Sequence, residues 1–353
     1  MAELIPMRSG EEIPIARLTP LLEQIFPGSG PWLAEQYASG HSNLTYLLRA
    51  PAHEVVLRRP PNGPVPPRAH DMMREFRLLE ALHPLYRWTP KVYWAADGDS
   101  SPLGVPFFLM ERRTGVLIDA SWLANHCYAP DEGRRISDTL VARLVDLHGV
   151  EWSGTPIHDM VKPEGFLRRQ VEGWIYRYQG AKAEDIVGVS ALCQWLLDQV
   201  PGDSDATVIH YDYKLNNLLL TPDLSDLAGI FDWEMATVGD PLADVAVVLS
   251  YWVERGDSDA LQRAFGDRPV TLAPGFYSRR EWLEAYARQS GRHVRHVGYY
   301  LTFAYFKLAV IVAQIYFRYA NGQTDDTRFQ HFGALVRELL QVAMTQEAQY
   351  RGD

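Results

Sequence analysis

The chain has 353 residues, of which 47% are apolar, and a formal net charge of −10. This length exceeds a single compact core and suits two lobes, while the apolar fraction excludes wholesale disorder. The acidic charge and the lack of any basic run in the sequence argue against a nucleic-acid partner, which needs a cationic surface.

Cysteine usage and the N-terminal residues indicate the cellular compartment. Cys127 and Cys193 lack metal-ligand spacing and are typical of free thiols in a reducing environment. The first residues contain neither the basic nor the apolar stretch of a secretory signal. We therefore expect a cytoplasmic protein.

The N-terminal part is predicted to form a short helix and then two strands. Thr19 and Pro20 have the residue types of an N-cap and a first helical position, and β-type runs follow at 44–48 and 55–58. A small turn precedes the first run, and its residues are Ser39, Gly40, His41, Ser42 and Asn43. Such a turn can direct backbone N–H groups at phosphates. It matches neither a Walker loop nor the G-x-G-x-x-G of protein kinases, so an ordinary hairpin turn is the alternative.

The second strand ends in a cation, Arg58. In kinases the corresponding strand carries a lysine that contacts the nucleotide phosphates and pairs with a helix glutamate. A guanidinium can bind phosphate oxygens bidentately, although a solvated arginine is an equally good interpretation of this window. Glu75, in a helix predicted from about residue 70 to 82, is the expected partner.

Two further runs, at 91–94 and 105–110, bring the located strands to four in a sheet that is predicted to have five strands. Helical periodicity begins soon afterwards, so we predict an N-lobe over 1–111 that covers a nucleotide and a C-lobe over 112–353. Met110 and Glu111 lie at this boundary, where backbone groups can meet an adenine edge. An ordinary interdomain linker is the alternative.

The C-lobe is predicted to be mainly helical. Residues 298–320 resemble a membrane span, but Lys307 lies near their middle, and a lysine at a bilayer centre costs ~2.5–3.5 kcal/mol. We therefore predict a buried helix and no membrane association. The predicted helices cover 132–148, 165–178, 189–197, 241–252, 278–289, 299–319 and 327–348.

A β-hairpin interrupts these helices and carries the strongest chemical signal. Asp212 is followed by Asn217 and then by Asp232, the H-x-D-x-x-x-x-N and downstream Asp pattern of kinase-type phosphoryl transfer. A hairpin folded about residue 224 brings Asn217 and Asp232 side by side. An amide oxygen and a carboxylate suit Mg²⁺, and Asn216 is the alternative ligand if the loop is displaced by one residue.

Other residues of this region have more local interpretations. Asp212 is predicted to be the base that accepts a hydroxyl proton. Lys214 either meets the transferred phosphate or is solvated, and His210 braces the loop by hydrogen bonding. Asp240 and Asp244 are predicted to be structural, with Asp240 as the N-cap of a helix that begins at Pro241.

These motifs together resemble the aminoglycoside phosphotransferase-like kinases, in the branch related to the kinase domain fused to some acyl-CoA dehydrogenases. The segments that carry the resemblance are Ser39–Tyr46, Val56–Pro61 with Arg74 and Glu75, His210–Asn217, Phe231–Glu234 and Gly239–Asp244. It implies an α+β, bilobal protein-kinase-like fold with a small antiparallel five-stranded N-lobe and a large helical C-lobe.

The resemblance also implies the reaction and its participants. The donor is ATP, with GTP as an alternative, the cofactor is Mg²⁺, and the acceptor is a small hydroxylated metabolite or antibiotic. By position, Asp212 falls on the family's catalytic aspartate, Asn217 and Asp232 on its metal ligands, and Arg58 and Glu75 on its phosphate clamp.

Two residues depart from the family's pattern. Tyr211 stands where the family usually has glycine, a change that would narrow access to Asp212, and His41 replaces a commoner glycine or glutamine. The expected protein is a monomeric or homodimeric small-molecule kinase. The alternative is a pseudokinase that binds a nucleotide or another ligand without turnover. Because the helical lobe offers aromatic and aliphatic side chains, a weakly cationic acceptor is expected.

Overall fold

The structure is a computed structural model and describes residues 4–38, 43–62, 71–202, 205–265, 268–323 and 327–352. The strands, in chain order, are β1 (Leu4–Ile5), β2 (Leu33–Tyr37), β3 (Leu44–Arg49), β4 (Glu54–Arg59), β5 (Val92–Ala96), β6 (Phe107–Glu111), β7 (Val116–Leu117), β8 (Thr207–Ile209), β9 (Leu218–Leu220), β10 (Leu227–Ile230) and β11 (Thr237–Gly239). The α-helices are α1 (Ile15–Ile25), α2 (Met72–Leu82), α3 (Ala120–Asn125), α4 (Pro130–His148), α5 (Phe166–Ala181), α6 (Val189–Asp198), α7 (Pro241–Tyr251), α8 (Asp259–Ala264), α9 (Arg279–Ser290), α10 (Val297–Ala320) and α11 (Phe332–Gly352).

The chain divides into two compact units that alternate along the sequence. The sheet unit comprises Met1–Leu117, Val150–Met160 and Leu215–Met235, and the helical unit comprises Ile118–Gly149, Val161–Lys214 and Ala236–Asp353. The hairpin of β9 and β10 therefore belongs to the sheet unit. A functional boundary at 111/112 stays a prediction.

The sheet unit is built on an antiparallel sheet with the strand order β1-β2-β3-β4-β6-β5. Its central strands are nearly continuous apolar runs, typical of strands that are covered on both faces. Leu18 and Leu22 of α1 belong to the same buried cluster as Leu57 and Leu109. The sheet has six strands rather than five, and the two that the sequence pattern did not locate are the two-residue β1 and its partner β2.

Helix α1 begins earlier than the sequence pattern predicted. It starts at Ile15, and Pro20 lies inside it. The Thr19 hydroxyl donates to the carbonyl of Ile15 at 3.0 Å, one helical turn back, so Thr19 is a residue of the helix interior. The predicted N-cap at Thr19 was therefore wrong, because Pro14 occupies the N-cap position of this helix.

The helical unit is organised around α10, which packs against α5, α7 and α11. Within the described residues, α10 alone is long and apolar enough to cross a membrane, and 67% of its apolar window is buried inside the protein. Lys307 lies on this helix with a relative exposure of 4%. Asp240 caps α7 by accepting the N–H of Leu242 at 2.8 Å, as predicted.

The hairpin of β9 and β10 has the predicted register. Ile230 lies opposite Leu218, and β7 pairs with the other edge of β9. The turn is closed by the Thr221 N–H, which donates to the carbonyl of Asp226 at 2.8 Å. A hairpin is specified by local turn chemistry, so its register could be predicted from sequence.

Candidate functional site

A buried arginine lies at the centre of the polar cluster in the sheet unit. Arg58 Nε donates to Glu75 at 3.1 Å, Nη2 donates to Asp232 at 2.5 Å, and Glu234 lies 3.8 Å from Nη2. The partnership of Arg58 with Glu75 is as predicted. These contacts use Nε and Nη2, so Nη1 is the nitrogen with which Arg58 would reach a phosphate.

Burial and charge act in opposite directions in this cluster. Burial disfavours the guanidinium, but the carboxylates of Glu75, Asp232 and Glu234 raise the pKa of Arg58 above its ordinary value. Burial raises the pKa of Glu75 to about 7, although the positive charge of Arg58 opposes this change. Arg58 is therefore a permanent cation that organises three acidic side chains.

Asn217 and Asp232 are adjacent at the end of the hairpin. The backbone N–H of Phe231 donates to the carbonyl of Asn217 at 2.9 Å, beyond the last ladder pair of Ile230 and Leu218. Asp232, the next residue, has φ = 65°, a left-handed conformation that non-glycine residues adopt rarely. Such conformations cluster at functional sites.

Asn43 and Glu234 extend this cluster. Asn43 Nδ2 donates to the Glu234 carboxylate at 2.8 Å, and Arg74 Nη1 donates to the Glu234 carbonyl at 3.1 Å. The side chain of Asn43 thus braces Glu234, and its contact with a phosphate stays a prediction. Sequence reasoning gave Glu234 no role, although it lies two residues after Asp232. The other predicted phosphate-turn residues, Ser39, Gly40, His41 and Ser42, lie outside the described residues.

Met110 and Glu111 end strand β6. Met110 lies opposite both Val56 and Val92, and the N–H of Glu111 donates to the Lys91 carbonyl at 2.7 Å. The N–H of Glu111 is therefore engaged within the protein. A nucleotide base at this segment would have to use other backbone groups.

The helical unit holds Asp212 in a braced loop. The N–H of Asp212 donates to His210 Nδ1 at 3.2 Å, which confirms the predicted bracing role of His210. Lys214 Nζ contacts the Asp212 carboxylate at 2.9 and 3.0 Å and lies 4.9 Å from the ring centroid of Tyr251. Lys214 is paired with Asp212, so the purely solvated alternative is excluded.

Asp244 fixes the backbone of this loop. Its carboxylate accepts the N–H of His210 at 2.7 Å and that of Tyr211 at 2.9 Å. His148 lies beside it, with Nε2 at 3.3 Å from Asp244 and Nδ1 at 2.7 Å from the Tyr286 hydroxyl. Burial opposes the charge, but the hydrogen bond and charge of His148 lower the pKa of Asp244, with smaller contributions from His210. Asp244 is structural, as predicted, and what it supports is the loop of Asp212.

Tyr211 occupies the position where the family usually has glycine, and its backbone has a conformation that glycine favours. Its φ is 64°, in the left-handed region that glycine adopts without steric cost. The side chain is 2% exposed and packs against Phe166, with ring centroids 5.7 Å apart. The tyrosine ring is therefore buried inside the helical unit.

The chemistry of Asn217 and Asp232 fits a magnesium ion that is shared with a phosphate ligand. Within the described residues no group of three or more His, Cys, Asp or Glu side chains could hold a metal. Mg²⁺ commonly takes one or two carboxylates and completes its coordination with water and substrate phosphates. The Asp232 carboxylate already pairs with a cation, Arg58, and its side chain is 28% exposed. The donor set therefore suits Mg²⁺ bound together with a nucleotide.

Comparison with known proteins identifies the family. The model of the Phosphotransferase enzyme family matches residues 34–297. The chain belongs to this family. This phosphotransferase therefore belongs to the predicted enzyme class, and the resemblance inferred from its motifs is confirmed.

A curated relative of this phosphotransferase is a longer protein. The chain is 30% identical over 342 residues to acyl-CoA dehydrogenase family member 10 of Mus musculus, which covers 96% of this chain and 31% of the relative. The chain thus spans about a third of that relative's length.

Solved structures share the fold. A protein of Ralstonia eutropha, provisionally described as an aminoglycoside phosphotransferase, has a TM-score of 0.80 and 24% identity, over 96% of this chain and 99% of the other. Choline kinase of Cryptosporidium parvum has a TM-score of 0.65 and 13% identity, over 95% and 96%. A thermostable mutant of aminoglycoside phosphotransferase APH(4)-Ia, in complex with ADP and hygromycin B, has a TM-score of 0.58 and 15% identity, over 93% and 97%. The predicted kinase-like α+β fold is confirmed.

Proposed function

We propose that this phosphotransferase moves the γ-phosphoryl group of ATP to a hydroxyl group of a small molecule in a magnesium-dependent reaction. Asp212 accepts the proton of the attacking hydroxyl group, and Lys214 keeps the Asp212 carboxylate oriented and faces the transferred phosphoryl group. Asn217 and Asp232 would hold Mg²⁺, which when bound would neutralise phosphate charge. Arg58, held by Glu75, binds the phosphates of the donor, and the segment 39–43 is the proposed second phosphate contact.

The observation that carries this proposal is the register of the hairpin. Phe231 donates to the carbonyl of Asn217 at 2.9 Å, so Asn217 and Asp232 lie at the same end of the ladder. Arg58 then links Asp232 to Glu75 on α2. Family membership adds independent support, as does the ADP in the complex of the related fold.

The nature of the acceptor follows from charge and from the relatives. A polycationic antibiotic needs several carboxylates around it. The described carboxylates at Asp212 and Asp244 are instead committed to Lys214 and to the backbone of the loop. We infer a hydroxyl compound that is not polycationic. Because a relative is named as a member of the acyl-CoA dehydrogenase family, hydroxylated acyl-CoA thioesters are a candidate class.

The test is a screen for nucleotide consumption. ATP and GTP are each incubated with magnesium and a panel of hydroxylated metabolites, amino alcohols, hydroxyacyl-CoA thioesters and antibiotics. Asp212→Asn serves as the blank, because it keeps the size of the side chain and removes the base. Phosphorylation of an acceptor by the wild type but not by the blank supports the proposal. Nucleotide binding without turnover on any acceptor would favour the pseudokinase alternative.

We also propose a cellular location and an oligomeric state for the protein. A cytoplasmic protein accords with Cys127 and Cys193, which are both free thiols. A monomer or homodimer that binds no nucleic acid accords with the net charge of −10. Size-exclusion chromatography with light scattering tests the oligomeric state directly.

A further inference from the structure

Lys307 is a buried cation that the proposed chemistry has not used. It lies in the middle of α10 with 4% exposure. Its Nζ donates to the carbonyl of Tyr211 at 2.9 Å and lies 3.4 Å from the centroid of the Tyr211 ring. The ring of Trp174 is 5.8 Å away. A buried ammonium is costly unless its surroundings compensate it, so its retention in an apolar helix calls for a role.

The peptide that Lys307 contacts immediately precedes Asp212. Tyr211 has φ = 64°, a left-handed conformation that is sterically unfavourable for a residue other than glycine. Its N–H donates to Asp244 at 2.9 Å and its carbonyl accepts from Lys307 at 2.9 Å. Side chains from α7 and α10 thus hold both polar groups of this residue. The backbone conformation of Tyr211 therefore sets the direction in which the chain continues into Asp212.

We propose that Lys307 is a positioning residue for phosphoryl transfer, which fixes the Tyr211 peptide and thereby the residue that follows it, Asp212. This inference rests on the proposed role of Asp212 as the base. Lys307 acts through Tyr211 and touches no reacting atom.

The charges around Lys307 support this role. Burial lowers the pKa of Lys307 to about 7, while Asp212 and Asp244 favour its charged form and Lys214 and Arg177 disfavour it. The hydrogen bond to the Tyr211 carbonyl and the contact with the Tyr211 ring are the compensation that the structure provides for burying this ammonium group.

The test compares Lys307→Met with Lys307→Arg and with a matched control, Leu308→Met, which changes the next buried residue of the same helix. In Lys307→Met we expect kcat to fall about 10- to 100-fold, with KM for ATP within about twofold of wild type. Lys307→Arg retains a charged hydrogen-bond donor and should recover most of the wild-type kcat, and Leu308→Met should leave kcat unchanged.

Hydrogen exchange provides a readout that does not need turnover. Amides of the segment 210–214 should exchange faster in Lys307→Met than in wild type, and they should be unchanged in Leu308→Met. An unchanged kcat in Lys307→Met together with unchanged exchange in this segment would overturn the inference. A wild-type protein that phosphorylates no acceptor contradicts the proposed function instead, and the exchange comparison then decides the positioning role alone.

Discussion

The backbone N–H of Phe231 donates to the carbonyl of Asn217 across 2.9 Å, beyond the last ladder pair of the hairpin. This bond fixes Asn217 beside the residue that precedes Asp232. The two proposed magnesium ligands are thus linked through a main-chain hydrogen bond.

Removing either ligand should weaken magnesium-dependent nucleotide binding. Asn217→Ala and Asp232→Ala are each expected to raise the Kd for ATP measured with magnesium by about tenfold or more, because a hard cation loses an oxygen donor. Asn216→Ala is the matched control, since Asn216 is the adjacent amide and is exposed. Calorimetric titration with and without magnesium measures the effect. A loss at Asn216 with none at Asn217 would support the ligand displaced by one residue.

The buried ion cluster should matter for stability as well as for binding. Arg58→Met leaves Glu75 buried without its cation, and losing one partner of a buried pair costs roughly 3–5 kcal/mol. We expect the free energy of unfolding to fall by about that amount in urea denaturation at pH 7.5. Arg49→Met is the control, because Arg49 pairs with Glu35 and Glu54 at the surface, where pairs contribute about 0–1 kcal/mol. Equal losses in the two variants would contradict the assignment of Arg58 as a central buried cation.

The hairpin and the ion pair could be predicted from sequence, whereas the supports of the Asp212 loop could not. Asn217 and Asp232 are joined by a short turn whose residue types set the register. Asp244 and Lys307 reach the loop from 33 and 96 residues along the chain. A lysine within an apolar helix signals a buried polar contact, but the sequence does not name its partner. Strand β2 was not predicted, because its sequence alternates only weakly between apolar and polar residues. In the structure its first residue, Leu33, is 68% exposed.

Asp244 is expected to be essential for the order of the loop. Asp244→Asn replaces one acceptor oxygen with a donor, so the N–H of His210 or of Tyr211 loses its partner, at a cost of about 1–3 kcal/mol. Thermal unfolding and kcat should both decline. Asp240→Asn makes the same chemical change on the same helix but keeps a good N-cap, so its effect on stability should be clearly smaller. If Asp240→Asn lowered thermal stability and kcat as much as Asp244→Asn does, the assignment of Asp244 as the support of the loop would be contradicted.

The free energy of unfolding should depend on pH because Lys307 binds its proton less tightly in the folded protein than in the unfolded chain. The folded-state pKa is about 7 and the ordinary value is 10.5, so between these values the unfolded chain binds more protons than the folded one. The free energy of unfolding of wild type should therefore rise with pH in this window, relative to Lys307→Met, by at most about 1.4 kcal/mol per pH unit. Urea denaturation of both proteins at pH 7, 8 and 9 measures the difference. A constant difference would show that Lys307 is not a desolvated ammonium.

The proposed chemistry is tested most directly by the rate of phosphoryl transfer in wild type and in Asp212→Asn, at saturating ATP, magnesium and the acceptor identified by the screen. Loss of a general base costs about 10²–10⁴-fold in rate, and the Kd for the nucleotide should stay within about twofold of wild type. A much slower variant that still binds the nucleotide normally is the predicted result. Equal rates in the two proteins would contradict the role of Asp212.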